Sequence, residues 1–344
     1  MSLAGDFFVK EHFTSPEALE EKSALFKLSV SNVVLEISSY CNRHCTYCPV
    51  SQVDRFTTNH FLPEDIFNRV IGDLARIDYD KGICLNLYNE PSADRELLLS
   101  RIKSIRSALP GSRIYFSTNG DFLNRDYLKE MVDAGLSELY ITLHAPKGKS
   151  YHDAYSISRM TEMAARLGKG VKVTAFSPNQ TVQGEISLFG IKLYVFSTNY
   201  DIFGSDRAGS VQSLTAQATQ RVAPCDRPFH DFTVSYEGTV FPCCQMFVDN
   251  QTHKERFSIG NIMDHPSIFD LYASDQMASW RASLLEYGPK ASPCDTCTEA
   301  NIEGTEAQRL ERRQLYKKFV GDREDEPVEP VVKPKRIFRI FQRF

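Results

Sequence analysis

The chain lacks the features that identify membrane-spanning and secreted proteins. No apolar run comes near the roughly 18 residues that a membrane-spanning helix needs. Residues 1–10 contain no basic stretch followed by an apolar core, so we expect no secretion signal. Nine cysteines without such a signal predict a reducing, cytoplasmic location, in which thiols bind metals rather than form disulfides.

The chain also lacks a strong excess of charge. Its 44 acidic and 40 basic residues leave a net charge of −4, and a balance so close to neutrality gives no general attraction to nucleic acid. We therefore expect no nucleic-acid partner. At 344 residues the chain is long for one domain, and one large plus one small domain is the natural expectation.

What is present is an uneven set of cysteines. Cys41, Cys45 and Cys48 form a C-x3-C-x2-C run just after an apolar stretch at residues 33–37. Three thiolates at this spacing can bind three corners of a four-iron, four-sulfur cluster, and the missing fourth cysteine leaves one iron with an open position. An open position on a metal indicates chemistry rather than a structural role. A zinc knuckle is the alternative, although zinc usually takes four ligands in C-x2-C pairs and His44 does not stand at ligand spacing.

The triplet and its place after a first strand resemble the radical S-adenosylmethionine (radical SAM) superfamily. The resemblance implies that S-adenosylmethionine binds the open iron through its amino and carboxylate groups. It further implies that the reduced cluster passes an electron to the sulfonium, and that the resulting 5′-deoxyadenosyl radical abstracts a hydrogen atom from the substrate.

Predicted strands and helices alternate over residues 33–196. Apolar stretches predict strands at 33–37, 83–88, 113–117, 138–143, 171–176 and 191–196, and amphipathic patterns predict helices at 66–74, 97–105, 127–136 and 158–167. Residues 181–189 have no clear assignment and could replace the last helix. Six such units predict an α/β fold, a partial (β/α)6 TIM-like barrel, which the resemblance also implies. In barrels of this type the carboxyl ends of the strands carry the chemistry.

The alternation stops near residue 200. A hairpin at Glu237-Gly238, one helix over 267–287 and a charged helix over 305–319 are expected beyond it. We therefore divide the chain into an N-terminal extension, the partial barrel, a small Cys-rich auxiliary-cluster domain and a disordered basic tail. Their predicted bounds are 1–30, 31–210, 211–320 and 321–344.

The tail is cationic and aromatic from residue 333 onward. As a helix it would place Ile337, Ile340, Phe341 and Phe344 on one face. Such a face could contact a membrane surface weakly, or an anionic partner. A disordered tail is the favoured interpretation because the preceding residues are rich in Pro and Glu.

The second group of cysteines lies in the C-terminal half. Cys225, a Gly238-x4-Cys243 segment and a late C-x2-C pair resemble the auxiliary-cluster "twitch" region, a shortened relative of the SPASM domain. The resemblance implies one closed [4Fe-4S] cluster, suited to electron transfer, with Cys225, Cys243, Cys294 and Cys297 as its ligands. Whether Cys243 or Cys244 is the ligand stays open, and a structural zinc ribbon is the alternative.

Further segments resemble the family's cosubstrate site. Residues 88–91 read Tyr-Asn-Glu-Pro where the family has Gly-Gly-Glu-Pro. This implies that Glu90 and the backbone around Asn89 bind the methionyl amino group, although both glycines are replaced. Ser117 and Asn119, in a strand-ending Ser-Thr-Asn-Gly segment, are implied to lie near the ribose and methionine. For Asn119 a simple turn is equally open.

Four more residues complete the predicted site. Tyr47, inside the cysteine run, is implied to lie near the adenine. Thr142 and His144 end the fourth strand and would face the barrel mouth, although a lone His is more often structural. Arg207, in a Ser-Asp-Arg-Ala-Gly segment, would bind a carboxylate or stabilise a deprotonating substrate, with a salt bridge at the barrel rim as the alternative. His144 and Arg207 are the candidate catalytic residues.

Taken together, these features imply an oxidoreductase with two [4Fe-4S] clusters and S-adenosylmethionine. It would oxidise a carbon that bears a hydroxyl or amino group. A single closed auxiliary cluster is similar to that of aminocyclitol dehydrogenases, which implies a sugar- or cyclitol-like small molecule as substrate and a reductant such as flavodoxin or ferredoxin.

Two alternatives remain for the function. A peptide-modifying maturase often carries an N-terminal winged-helix module, for which the residues before the first strand are too few. A zinc-ribbon binding module is disfavoured by the acidic balance.

Overall fold

The computed structural model describes residues 5–146, 148–215 and 218–321 of the chain. The strands are β1 (Asn32–Leu35), β2 (Gly82–Cys84), β3 (Arg113–Thr118), β4 (Glu138–Thr142), β5 (Lys172–Ser177), β6 (Thr181–Leu188), β7 (Ile191–Thr198), β8 (Asp231–Val234), β9 (Thr239–Phe241) and β10 (Gly260–Asn261). The helices are α1 (Leu19–Ser29), α2 (Glu64–Arg76), α3 (Arg95–Ala108), α4 (Arg125–Ala134), α5 (Asp153–Arg166), α6 (Tyr200–Phe203), α7 (Gln212–Thr215), α8 (Arg227–His230), α9 (Ile268–Tyr272), α10 (Asp275–Leu284) and α11 (Glu306–Phe319).

The strands form one sheet in the order β10-β9-β8-β1-β2-β3-β4-β7-β6-β5. Its central strands, from β8 through β1, β2, β3 and β4 to β7, are all parallel. Helices α2 to α5 connect or follow these strands and cover the sheet, because their apolar faces pack on it. The predicted fold class, a partial TIM-like barrel, is confirmed.

Local sequence signals explain where several helices begin. The carboxylate of Asp94 accepts a hydrogen bond from the N–H of Leu97, and the side chain of Asn124 accepts one from Tyr127 (3.0 and 2.9 Å). Such caps satisfy backbone donors at the start of a helix, here α3 and α4. These caps place the two helices behind the strands whose carboxyl ends form the site.

The last part of the barrel differs from the six repeated units that the sequence predicted. The stretch at 171–176 does form a strand, β5, but it pairs antiparallel with β6 at the edge of the sheet. The unassigned segment 181–189 is β6 itself. Its buried residues Val182, Gly184 and Ile186 alternate with more exposed residues, which is the two-residue period of a strand. Two tight turns, with Asn179 and Gly190 at positive φ, make β5, β6 and β7 a meander.

Three boundaries also differ from the prediction. Strand β2 ends at Cys84 rather than at residue 88, so residues 85–90 form a loop at the carboxyl edge. The helix expected over 267–287 is divided into α9 and α10, because the hydroxyl of Ser274 accepts a hydrogen bond from the N–H of Met277 and so caps a new helix that begins at Asp275. The Ser-Pro-Glu sequence at residues 15–17 predicts a helix start at Ser15, but helix α1 begins at Leu19.

The Cys-rich C-terminal region continues the barrel sheet. Strand β8 pairs parallel with β1, and the predicted hairpin at Glu237-Gly238 joins β8 to β9, with Gly238 at a φ of 79°. The two cysteine groups are therefore carried by neighbouring parts of one sheet. No helix in the described part of the chain has both the length and the apolar composition to cross a bilayer. The predicted basic tail lies outside the described residues, apart from Gly321.

Candidate active site

The carboxyl ends of the parallel strands surround a cavity of about 300 Å³. Its walls include every residue that the sequence predicted for the first cluster and the cosubstrate, together with both candidate catalytic residues. These are Cys41, Cys45, Cys48, Tyr47, Asn89, Glu90, Ser117, Asn119, Thr142, His144 and Arg207. They converge because the carboxyl ends of neighbouring parallel strands lie at one edge of the sheet.

The three thiols of the cysteine run share the loop between β1 and α2. The N–H of Cys48 donates to the carbonyl of Cys45 (2.9 Å), which closes a turn between these two cysteines. Burial raises the pKa of Cys41 to about 12 and also raises the pKa of Cys45 and of Cys48. Thiolates in this place therefore need a cation to balance their charge. Three half-buried thiols on a cavity wall fit a cluster whose fourth iron faces the cavity.

Side-chain contacts fix this loop to the end of β3. Arg43 donates two hydrogen bonds to the carboxylate of Asp121 (2.8 and 2.6 Å), and Asn42 donates a third (2.8 Å). The amide of Asn119 donates to the side-chain oxygen of Asn42 (2.7 Å). Asn119 is thus more than a turn residue, because it joins the cysteine loop to β3.

Glu90 lies at the centre of a second network. Its Oε1 accepts hydrogen bonds from the hydroxyl of Thr118 (2.6 Å) and from the N–H and hydroxyl of Ser92, and its Oε2 accepts one from the N–H of Asn119 (2.6 Å). Burial raises the pKa of Glu90, while these hydrogen bonds act in the opposite direction. Because Oε2 receives one donor among the described residues, it can accept a further hydrogen bond from a ligand.

Asn89 braces the loop that follows β2. Its side-chain oxygen accepts from the N–H of Leu87 (3.1 Å), and its amide donates to the hydroxyl of Ser38 (3.2 Å). Neither Tyr88 nor Asn89 has a positive φ. The backbone therefore needs no glycine at the two positions where the family pattern has one.

An aromatic group forms one wall of the cavity. The ring of Tyr47 stacks on Tyr200 with centroids 4.2 Å apart, and its Oη lies 2.6 Å from Nδ1 of His144. Burial first, and then the nearby Arg43, lower the pKa of His144 to about 4. His144 is therefore neutral near pH 7. Tyr47 and Tyr200 also border an adjoining cavity of about 420 Å³.

Ser117 and Thr142 place hydroxyl groups on two neighbouring strands of the wall. Ser117 lies within β3, where its N–H donates to the side-chain oxygen of Asn86 (2.7 Å), and Thr142 is the last residue of β4. Hydroxyl groups at such positions can bind a ribose or another polyol.

Arg207 is half-buried at the mouth of the cavity, with a φ of 53°. Its Nη1 donates to Oε1 of Gln245 (3.1 Å), whereas its Nε has no hydrogen-bond partner among the described residues. Burial lowers the pKa of Arg207, but the facing Tyr88 and Cys48 raise it to a net value above the usual one. The predicted alternative, a salt bridge at the rim, does not occur within the described part of the chain.

The second cysteine group lines a small apolar cavity next to the first. Cys225, Cys243, Cys294 and Cys297 all border it, together with Gln245, whereas Cys244 does not. Four thiols around one closed space match the donor set of a closed cluster.

A buried cation lies beside this second cavity. Arg221 is 1% exposed and also lines the cavity. Its guanidinium donates to backbone carbonyls, those of Ala223, Pro224, Cys297 and Glu299. Such a charge can balance thiolates at the site.

The sequence did not single out several residues at the site. They include Arg43, Tyr200, Arg221 and Gln245, which line the two cavities, and Asp121, which pairs with Arg43. Arg43 had a weak signal, since it lies inside the cysteine run, and so did Asp121, which follows the Ser-Thr-Asn-Gly segment. The others carry no motif, and only the tertiary contacts reveal them.

The comparisons with known proteins now define the class. The model of the radical SAM superfamily matches residues 35–175, and that of the SPASM domain, an iron–sulfur cluster-binding domain, matches residues 225–298. The chain therefore carries a radical SAM domain followed by a C-terminal SPASM domain, as predicted. Its cofactors are accordingly a [4Fe-4S] cluster, S-adenosylmethionine and an iron–sulfur centre in the SPASM domain.

Two individual proteins and one solved structure are similar to this chain over defined lengths. The chain is 24% identical over 277 residues to the S-adenosyl-L-methionine-dependent 2-deoxy-scyllo-inosamine dehydrogenase of Niallia circulans, an alignment that covers 80% of this chain and 96% of that protein. It is 26% identical over 117 residues to an uncharacterised protein of Methanocaldococcus jannaschii, covering 34% of this chain and 35% of that protein. A crystal structure of BtrN with AdoMet and 2-DOIA has the same fold, with a TM-score of 0.55 and 21% identity over 81% of this chain and 96% of that one.

Proposed function

We propose that this protein is a radical SAM dehydrogenase that oxidises a hydroxyl-bearing or amino-bearing carbon of a sugar- or cyclitol-like small molecule. The observation that carries the proposal is the adjacency of the two thiol-lined cavities. Arg207 lines the first cavity, its neighbour Ala208 lines the second, and Gln245 of the second accepts a hydrogen bond from Arg207. The named activity of the Niallia circulans relative supports the same reaction class.

A dehydrogenation of this kind removes a hydrogen atom from the carbon, a proton from its hydroxyl or amino group, and an electron from the resulting substrate radical. When bound, the first cluster with S-adenosylmethionine supplies hydrogen-atom abstraction, and the auxiliary cluster supplies a one-electron acceptor. We assign Cys41, Cys45 and Cys48 as ligands of the first cluster, and Cys225, Cys243, Cys294 and Cys297 as ligands of one auxiliary cluster. The closed, apolar second cavity suits electron transfer better than substrate binding.

Glu90 and Asn119 would orient the cosubstrate. Oε2 of Glu90 has acceptor capacity for the methionyl ammonium, and the surrounding hydrogen bonds hold it in one position. Tyr47, Ser117 and Thr142 would contact the adenosyl portion.

Arg207 would act on the substrate as a cation. Its pKa lies above the usual value, so it holds its proton near neutral pH. A guanidinium with an unpartnered, buried Nε can donate to a substrate oxygen and stabilise the negative charge that develops there on deprotonation. Neutral His144 can accept or donate a hydrogen bond at the same wall.

The cavity favours a neutral polyol over an amine. Among the described residues that line it, the only carboxylate belongs to Glu90, which is assigned above to the methionyl ammonium. Apart from the thiols assigned to the first cluster and the neutral His144, the remaining polar side chains are amides, hydroxyls and cations, which suit hydroxyl groups.

The other expectations belong to the same proposal. We propose a cytoplasmic enzyme that takes its electrons from a flavodoxin or ferredoxin. We also keep the division into a barrel at 31–210 and an auxiliary-cluster domain at 211–320.

The test is label transfer under anaerobic conditions. Reconstituted protein is incubated with S-adenosylmethionine, dithionite and cyclitols or sugars deuterated at each carbon in turn. Deuterium should appear in 5′-deoxyadenosine for one position of one substrate. Cys45→Ala should abolish this product, and Cys294→Ala should leave uncoupled cleavage without oxidised product, whereas the control Cys84→Ala should behave as wild type. Normal turnover by the Cys294 variant would refute the electron-acceptor role.

A further inference from the structure

Gln245 connects the two cavities although no motif marks it. It is 4% exposed and lines the auxiliary cavity two residues after Cys243. Its side-chain oxygen faces the other way and accepts the hydrogen bond from Arg207, which lines the cosubstrate cavity. One residue therefore reaches from the auxiliary thiols to the charged group at the substrate site.

Three hydrogen bonds hold Gln245 in this position. Its N–H donates to Sγ of Cys243 (3.2 Å), its side-chain oxygen accepts from Nη1 of Arg207 (3.1 Å), and its carbonyl accepts from Oη of Tyr88 (2.9 Å). The first of these bonds ends on a sulfur that the proposed function assigns as a cluster ligand. Hydrogen bonds to ligand sulfurs set the potentials of iron–sulfur clusters, because they stabilise the more negative, reduced form.

Tyr88 makes this arrangement specific to the chain. It stands where the family pattern has a glycine, which has no side chain that could reach residue 245. The Tyr88 ring packs edge-to-face on Phe247 with centroids 4.9 Å apart, and its N–H donates to the buried carboxylate of Glu36 (3.1 Å). Both the ring and the backbone of Tyr88 are thus held in place, and its hydroxyl restrains the backbone of the segment that carries Cys243.

We propose that Gln245 is a positioning residue that sets the reduction potential of the auxiliary cluster and links it to the state of the cosubstrate cavity. Its backbone stabilises charge on the Cys243 sulfur, and its side chain holds Arg207. A ligand that draws Arg207 into the cavity would break its hydrogen bond to the Gln245 side chain. Gln245 could then shift, and the hydrogen bond from its N–H to the Cys243 sulfur would change. Such a coupling acts equally in both directions. The inference rests on the proposed ligand role of Cys243 but not on the identity of the substrate.

The experiment compares wild type with Gln245→Leu, which keeps the volume and removes the acceptor for Arg207. The auxiliary-cluster potential is measured by dithionite titration followed by electron paramagnetic resonance, on protein with its full iron content. We expect the variant's auxiliary cluster to take up an electron about tenfold less favourably, which corresponds to a potential lower by about 59 mV. Gln276→Leu on α10, which removes a comparable hydrogen bond to Ser258, is the matched control and should keep the wild-type potential.

The linkage has its own readout. Saturating S-adenosylmethionine should shift the auxiliary potential of the wild type, and this shift should be lost in Gln245→Leu. An unchanged potential in the variant would overturn the first claim. An equal shift in both proteins, or no shift in the wild type, would overturn the second.

A conservative second variant protects the test against a folding failure. Tyr88→Phe keeps the ring and removes the hydroxyl that donates to the carbonyls of Gln245 and Cys244. It should lower the potential in the same direction by a smaller amount. A wild-type potential in this variant, at full iron content, would also overturn the proposal. Because no substrate is present, a failure of cyclitol oxidation leaves these measurements interpretable.

Discussion

Cys243 and Cys244 are neighbours in sequence but have different surroundings. The thiol of Cys243 lines the auxiliary cavity with three other thiols and accepts the N–H of Gln245. Cys244 does not line that cavity, and its carbonyl accepts a hydrogen bond from Tyr88 instead. The two residues lie in a turn, in which the N–H of Met246 donates to the carbonyl of Cys243 (3.3 Å), and only the first of the two borders the cavity.

This difference predicts the iron content of two variants. Cys243→Ala should lose the auxiliary cluster, because a four-thiol site cannot remain closed with three ligands, and should retain about half of the iron of a protein with two four-iron clusters. Cys244→Ala should retain all of it. Iron and acid-labile sulfide are measured on anaerobically purified proteins. Loss of iron in the Cys244 variant alone would reverse the assignment.

At the residue scale, sequence reasoning succeeded where a side chain directly follows a strand. Glu90, Ser117 and Thr142 were predictable because the carboxyl ends of parallel strands meet at one edge. Arg43 with Asp121 was not, since that ion pair joins segments 78 positions apart in the chain. Gln245 was not predictable either, because two of its three hydrogen bonds, those with Tyr88 and Arg207, join it to segments that are distant in the chain.

At the scale of elements, the predicted secondary structure was wrong where tight turns join strands that were expected to be separated by helices. Alternating helix and strand units were expected to continue through 158–196, with residues 181–189 unassigned, but β5, β6 and β7 form a meander instead. Its turns use residues at positive φ, Asn179 at 60° and Gly190 at 84°, which alternating helix–strand patterns do not reveal. The predicted hairpin at Gly238 was correct because Glu-Gly between two short apolar strands is a strong local signal.

The two hairpin glycines give a matched pair of variants. Both have φ near 80°, so alanine should cost about 1 kcal/mol at either site from backbone strain alone. A Cβ at Gly190 would meet no atom within 4 Å, whereas one at Gly238 would collide with the Cδ1 of Ile66 on α2. We therefore expect Gly190→Ala to destabilise the fold by about 1 kcal/mol and Gly238→Ala by about 2–4 kcal/mol.

Urea unfolding of the two proteins, followed by circular dichroism under anaerobic conditions, measures the difference. Equal losses for both glycine variants would show that α2 does not press on the β8–β9 hairpin. In that event the packing of the barrel helix against the auxiliary region would not contribute to stability.

At the scale of the whole molecule, the two ends of the described chain pack together. Phe8, near the start, contacts Phe229 of α8 edge-to-face at 5.1 Å and belongs to a small apolar cluster that includes Tyr316 of α11. His12 lies within this contact and is fully buried. The N-terminal segment therefore closes the C-terminal region rather than extending away from it.

His12 is held in its neutral form. Its Nδ1 accepts a hydrogen bond from the N–H of Val9 (3.2 Å), and its Nε2 lies 2.7 Å from the hydroxyl of Ser29. The buried guanidinium of Arg281 donates to the carbonyl of His12 (3.3 Å). Burial, followed by the charge of Arg281, lowers the pKa of His12 to about 3.

This pKa predicts a loss of stability in acid. The unfolded chain takes up a proton at His12 below its ordinary pKa of about 6.5, while the folded chain does not until about 3. The stabilisation is therefore complete above the unfolded-state pKa and declines as the pH falls toward the folded-state pKa, by about 1.4 kcal/mol per pH unit.

His12→Gln offers similar hydrogen bonds without a titrating group. Between pH 7 and pH 5 the unfolding free energy of the wild type should fall by about 2 kcal/mol more than that of the variant. Urea unfolding at the two pH values measures this difference. The contributions of the other buried histidines and of the clusters to the pH dependence cancel, because both proteins contain them. Parallel losses in the two proteins would mean that His12 accepts its proton in the folded state, and that the contact between the chain ends is open enough to admit water.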